Sequence, residues 1–142
     1  MTEQHWSGTG TVEDPWVLKT PPLSSTYTIH RDDESDPALL ICQVGSTRLA
    51  YLARAVDDLR AELLRRGDWV ALGAADEKKE PAAGTVEAWG RAADNPVGGW
   101  YGQRKGYRGR FGMYLPPLLE ALGLVELEHN ARNNRVRALP GV

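Results

Sequence analysis

One segment of this chain, residues 53–66, carries an unbroken helical apolar period, and the rest is punctuated by 15 glycines and 9 prolines. Val56, Leu59 and Leu63 fall at i, i+3 and i+7, and Leu52, Ala55 and Leu64 widen the stripe. Asp57 and Asp58 near its start and Arg65 and Arg66 near its end complement the helix dipole, and Gly67 supplies the stop. The stretches before it have strand patterns. Tyr27–Arg31 alternates, Ala38–Val44 is a continuous apolar run suited to a central strand, and Thr47–Leu52 can return antiparallel after the Gly45-Ser46 turn.

The remaining segments are shorter. Residues 1–26, rich in Gly, Thr, Ser and Pro, read as an irregular arm, with Trp16, Val17 and Leu18 as an apolar plug that docks on the body. Residues 27–142 then make one domain, which the chain length suits. Asp68–Leu72 reads as a short strand or a packed connection, and 74–84, with its DEKKEP run, as a solvated linker. Thr85 can cap a short helix to Ala93. Residues 97–112 read as a glycine-rich loop. Residues 112–122 read as helical, but Pro116 and Pro117 fit only a first turn, so the regular helix is expected to begin near Leu115, and Gly123 ends it. Leu124–Glu128 and Arg135–Leu139 form a hairpin around a polar turn. The expected fold class is α+β: a small antiparallel N-terminal sheet packed with helices, closing on a helix and a β-hairpin.

Charge points to function. Residues 1–99 hold 10 Lys+Arg against 16 Asp+Glu, whereas 100–142 hold 7 against 3, so the formal −2 of the whole chain hides a dipole. The stretch WYGQRKGYRGRFGMY (100–114) has four cations, five aromatics, four glycines and no acid. Cations interleaved with rings and glycines suit a polyanion: Arg104, Lys105, Arg108 and Arg110 would neutralise phosphates, with Arg132, Arg135 and Arg137 of the hairpin as a second row. Tyr101 and Tyr107 are the rings expected to stack on bases or enter a minor groove. The same segment can instead lie against the acidic half of its own fold, or against a second copy in a homodimer. The sequence pI near 5.9 is low for a nucleic-acid binder.

Catalytic patterns are sparse. One cysteine, Cys42, lies in an apolar strand, and three scattered histidines do not make a zinc site, so no metal and no cofactor is expected. His129 with Asn130, Asn133 and Asn134 lacks the further ligands of an HNH-type nuclease and fits a polar turn. Glu87, with Arg91 and Asp94 nearby, can supply an acid, base and cation cluster, and Trp69, Trp89 and Trp100 can line a pocket with it, which would make a small metal-free enzyme. A capping glutamate with a helix-end ion pair explains the same residues. No apolar run is long enough to span a membrane, and the N-terminus lacks the basic and apolar regions of a signal peptide, so the expectation is a cytoplasmic protein without a membrane partner.

Two resemblances add to this. The segment LPPLLEALGLVELEHNARNNRVRAL (115–139) resembles the closing half of a winged-helix domain, a leucine-rich helix passing into a two-stranded wing, and this implies DNA binding. The phrases GTGTVEDPWVLKTPP, RGDWVALGAADEKKEP and DNPVGGWYGQRKGYRGRFGMYLPP resemble a family of short actinobacterial proteins carrying a domain of unknown function. That likeness implies a cytoplasmic bacterial protein and assigns no activity. Taken together, the expected function is non-catalytic binding, of DNA through the basic aromatic loop and wing, with self-association or protein interaction as the alternative and the metal-free enzyme as a further one.

Overall fold

The computed structural model describes residues 5–140. Four strands, β1 (Trp16–Lys19), β2 (Thr26–Asp32), β3 (Leu39–Val44) and β4 (Thr47–Leu52), form an antiparallel sheet in sequence order. The register pairs Leu18 with Tyr27, Ile29 with Cys42, Cys42 with Leu49 and Leu40 with Tyr51. Because side chains alternate along a strand, this places one apolar set on a single face, and all of these residues are buried. The arm is therefore only partly irregular. Trp16–Lys19 is an edge strand, since the apolar plug that looked like a docking anchor carries the alternation that a sheet edge needs.

The helix α1 (Ala55–Arg66) follows, stopped by Gly67 in the left-handed region at φ 66°. It buries Ala55, Leu59 and Leu63. After it come β5 (Val70–Ala71), α2 (Val86–Trp89), α3 (Phe111–Ala121), β6 (Val125–Leu127) and β7 (Arg135–Ala138). The last two pair as the expected hairpin, and β5 adds to β7, giving a second antiparallel sheet of order β5-β7-β6. The fold is thus α+β, with α3 touching α1, α2, β1 and β6.

Two boundaries differ from the sequence expectation. α2 stops at Trp89 and not at Ala93: the next carbonyl, of Gly90, accepts the Tyr101 N–H at 3.2 Å, and Gly90 packs so closely on the Phe111 ring that a Cβ there would sit 2.5 Å from the nearest ring atom. α3 begins at Phe111, four residues before Leu115, with both prolines inside it. Those prolines remove two intrahelical donors. Burial offsets the loss, for eight of the 11 residues are buried between the two sheets, and the Glu87 carboxylate receives the Gly112 N–H at 2.9 Å. The core continues into an aromatic cluster in which Trp89 stacks on Tyr101 with centroids 5.3 Å apart, and Phe111 lies 5.3 Å from Tyr101 and 6.0 Å from Tyr51. Among the described residues no helix is long and apolar enough to cross a membrane.

The glycine at 112 is a close-approach site. A Cβ there would stand 2.5 Å from the Leu72 backbone oxygen, which cannot swing away. Gly112→Ala is expected to destabilise the fold by about 1–3 kcal/mol, as overpacking against backbone does. Urea unfolding would check this, and a change below about 0.5 kcal/mol contradicts it.

Candidate functional site

The basic aromatic segment folds back along the free edge of β4. The Leu52 N–H donates to the Tyr101 carbonyl at 2.9 Å and the Gln103 N–H to the Ala50 carbonyl at 2.8 Å, so the chain covers an edge that would otherwise invite pairing. Beyond this bridge Arg104 donates from Nη1 to the Arg48 carbonyl at 2.6 Å and lies over the Tyr107 ring, 4.2 Å from its centroid.

The linker that reads as a wet loop holds the segment from the other side. Glu77 accepts the backbone N–H groups of Gly106 and Arg108, each within 3.1 Å, and the Arg108 Nε–H at 2.5 Å. The Arg110 N–H donates to the Ala75 carbonyl at 2.7 Å. Hydrogen bonds from the Arg108 side chain and from these amides hold the Glu77 carboxyl below the usual carboxylate range, its burial opposing them. A buried arginine finishes the frame. Arg91 donates to Glu87 at 2.6 Å and to the carbonyls of Ala75, Asp76 and Lys79, and its guanidinium lies 4.4 Å from the Trp100 ring centroid. Arg108 lies over the same ring at 4.6 Å. Burial pushes the Glu87 carboxyl up, against the pull of Arg91 and the Gly112 N–H.

These contacts sort the expected binding residues into distinct settings. Tyr101 is fully buried, with its hydroxyl donating to Asp58 at 2.8 Å, and belongs to the core. Tyr107 is 44% exposed. Arg108 is spent on Glu77, whereas Arg104, Lys105 and Arg110 are exposed and have no carboxylate partner among the described residues. On the hairpin Arg135 pairs with Glu128 and Arg137 with Glu126, each at 2.8 Å, and both lie over Trp69. Arg132 stands exposed at the hairpin tip. The loop packs on β4 and residues 75–77, while the hairpin packs on β5 and α3, so the seven cations form two groups.

The residues expected to line a pocket also separate. Trp69 is on the hairpin sheet, Trp89 stacks on Tyr101, Trp100 is sandwiched with two arginines, and Glu87 is buried at 0% exposure. Asp94 borders a shallow groove beside Trp89 and Pro96, away from the Glu87–Arg91 pair. His129 has its ring nitrogens 2.8 Å from the Pro21 carbonyl and 2.6 Å from Glu120. Cys42 is buried, which pushes its thiol far up. Among the described residues no three His, Cys, Asp or Glu side chains are grouped as metal ligands.

The concavity at the loop was not legible beforehand. Val44, Thr47 and Leu49 of the β3–β4 hairpin, Asp76 of the linker, and Tyr107, Arg110 and Tyr114 enclose a cavity of about 260 Å³. A wider groove of about 700 Å³ runs between Pro21, Gly73, Met113 and the hairpin tip. Arg48, Asp76 and Glu77 join the site although nothing in the sequence distinguishes them from other surface charges.

Glu77 supplies a test of the tether. Its folded carboxyl is held low, so its stabilising contribution is present above the ordinary carboxylate range and fades as pH falls through the depressed value. Glu77→Ala is expected to unfold at lower urea than wild type at pH 7, with the gap closing toward pH 3. It should also expose Arg104, Lys105 and Arg108 to trypsin at pH 8. An unchanged cleavage pattern in Glu77→Ala contradicts the tether.

No curated protein and no solved structure is measurably similar to this chain. Residues 8–139, nearly its whole length, match the Family of unknown function (DUF6855), and the chain belongs to that family.

Proposed function

We propose that this chain is a non-catalytic nucleic-acid-binding protein that grips the phosphate backbone with the loop 103–110. One observation carries the reading. Arg104 lies over the exposed Tyr107 ring, and Arg104, Lys105, Arg110 and Arg48 are exposed without carboxylate partners among the described residues, on a backbone already fixed by Glu77 and Ala75. A prefolded cationic loop loses little entropy on binding, so each charge–phosphate contact counts nearly in full.

The second half of the chain supports it. A leucine-rich helix, α3, passes into a two-stranded hairpin, β6 and β7, the order that the winged-helix resemblance implies. With eight of its 11 residues buried, α3 does not read base edges in a groove, so contact falls to the loop, with Arg132 at the hairpin tip as an outlying cation. The hairpin pairs Arg135–Glu128 and Arg137–Glu126 are exposed ion pairs, each worth about 0–1 kcal/mol, and a phosphate can compete with them.

Arg110 adds an independent argument. It is a non-glycine residue in the left-handed region, at φ 61°, a conformation that costs roughly 1 kcal/mol and that glycine adopts freely. A long cation kept at such a position indicates a use for its side chain. Arg110→Gly is therefore expected to leave stability unchanged or raise it by up to about 1 kcal/mol, while weakening nucleic-acid binding.

In salt-titrated mobility shifts, three to four phosphate contacts give a log–log slope of about −2.7 to −3.6 on duplex DNA. Arg104→Ala/Lys105→Ala/Arg110→Ala is expected to remove most of that slope. No retardation at about 50 mM salt with micromolar protein, or an unaltered slope in the triple variant, overturns the reading and favours a protein partner, whose binding would depend little on salt.

A further inference from the structure

We infer that the ligand is single-stranded nucleic acid and that the 260 Å³ cavity beside the loop receives one unstacked base. This rests on the proposed nucleic-acid reading and deepens it. The argument begins from what the cavity contains. Its walls combine aliphatic surface from Val44 and Leu49 with the rings of Tyr107 and Tyr114. Such a lining suits a flat, weakly polar body, and an unstacked base sits well against aromatic and apolar side chains.

The polar groups are few and differ in kind. Arg104 lies on one face of the Tyr107 ring, which leaves the other face to a stacking partner within the cavity. Arg110, also on the cavity wall, is exposed and lies next to the loop cations, where the phosphate following a seated base would pass. The one carboxylate oxygen left over is on Asp76: Oδ1 accepts the Lys78 N–H at 3.1 Å, and Oδ2 has no partner among the described residues. A carboxylate beside a cationic loop opposes binding of phosphate at that point. It is well placed to accept the N–H groups on the Watson–Crick edge of a base, and guanine offers two adjacent ones. Arg104 and Lys105 beside the cavity, with Arg110 and Asp76 both on its wall, fit a nucleotide entering base first, with its phosphate left at the cationic rim.

A duplex cannot supply such a base without breaking a pair, at a cost of a few kcal/mol. The other cavities lack this combination. The wide groove at the hairpin tip has one unpaired cation, Arg132, and no facing ring, and the shallow groove at Asp94 has no cation beyond Arg65, which pairs with Glu62.

The experiment compares fluorescence-anisotropy titrations of a mixed-sequence DNA strand of about 12 nucleotides, its blunt duplex, an all-thymine strand of the same length and that strand with one central guanine, at low salt. The proteins are wild type, Thr47→Trp, which fills the cavity from the partly exposed end of the β3–β4 hairpin, and Asp76→Asn. The single strand is expected to bind at least tenfold more tightly than the duplex, and Thr47→Trp is expected to remove that preference while leaving duplex binding and its salt slope within twofold of wild type. The guanine-containing strand is expected to bind wild type more tightly than all-thymine and to lose that advantage in Asp76→Asn; no guanine advantage in wild type, or one that survives Asp76→Asn, overturns the placement of the base edge at Asp76. Equal affinity for strand and duplex, or a preference that survives Thr47→Trp, overturns the base-seating inference and leaves the backbone-binding reading standing. No binding of either form overturns both. Circular dichroism and thermal melting of Thr47→Trp verify its fold, and if it does not fold, Val44→Trp, on the same hairpin wall of the cavity, is held to the same criterion.

Discussion

The architecture turns on one buried ion pair. Glu87 has no exposed surface, and its two oxygens meet the Gly112 N–H and the Arg91 guanidinium at 2.9 and 2.6 Å. Taking a carboxylate and a guanidinium out of water is expensive, and the attraction between them repays it only when the remaining donors and acceptors are satisfied. Three backbone carbonyls from residues 75–79 take up the Nη groups of Arg91, while its buried Nε–H has no hydrogen-bond partner among the described residues. Bending the linker around the guanidinium is what brings Glu77 to Gly106 and Arg108. The start of α3, the linker and the loop are thus placed together by one pair. Breaking either side would leave an uncompensated buried charge, a penalty of roughly 3–5 kcal/mol.

The charge asymmetry of the sequence is resolved locally. One linker acid, Glu77, meets one loop arginine, Arg108, and the arginines of β7 meet the glutamates of β6 and of the turn after it. What distinguishes the pairs is how firmly each is held. Arg108 is gripped by a carboxylate that also accepts two amides, so it is part of the scaffold. The hairpin pairs are exposed and weak. Arg104 is steadied by a carbonyl and a tyrosine ring, neither of which cancels its charge. A loop made rigid by some of its cations can present the others.

Much of this was legible where local chemistry decides. The period of Val56, Leu59 and Leu63 marked α1, the alternation of the early strands marked the sheet, and the polar turn at 129–134 marked the hairpin. Failures arose where a distant partner decides. Trp16–Lys19 has a strand pattern, but only pairing with Thr26–Ile29 makes it a strand. The two prolines argued for a late start to α3, and burial between two sheets overrode them. Tyr101 and Tyr107 are equivalent in the sequence, yet the Asp58 carboxylate and the Trp89 ring draw one into the core and leave the other outside. Glu77 is one of several acids in a charged run, and its role depends on residues about 30 positions away in sequence.

An acidic chain with a cationic loop faces competing fields, and range decides between them. At physiological ionic strength the screening length is about 8 Å, so a phosphate in contact with Arg104 or Lys105 senses those charges far more than the net −2 of the chain. The acidic remainder acts at the margins of the contact. A duplex presents one charge per roughly 1.7 Å of axis on a stiff rod, and it brings many phosphates near that margin whenever a few reach the loop. A flexible single strand can bend away after two or three phosphates and turn a base inward. Acids surrounding a small cationic patch therefore penalise the stiff, dense polyanion more than the flexible one. On the proposed reading, Asp76 on the cavity wall would apply the same discrimination to a single nucleotide, favouring the base over its phosphate.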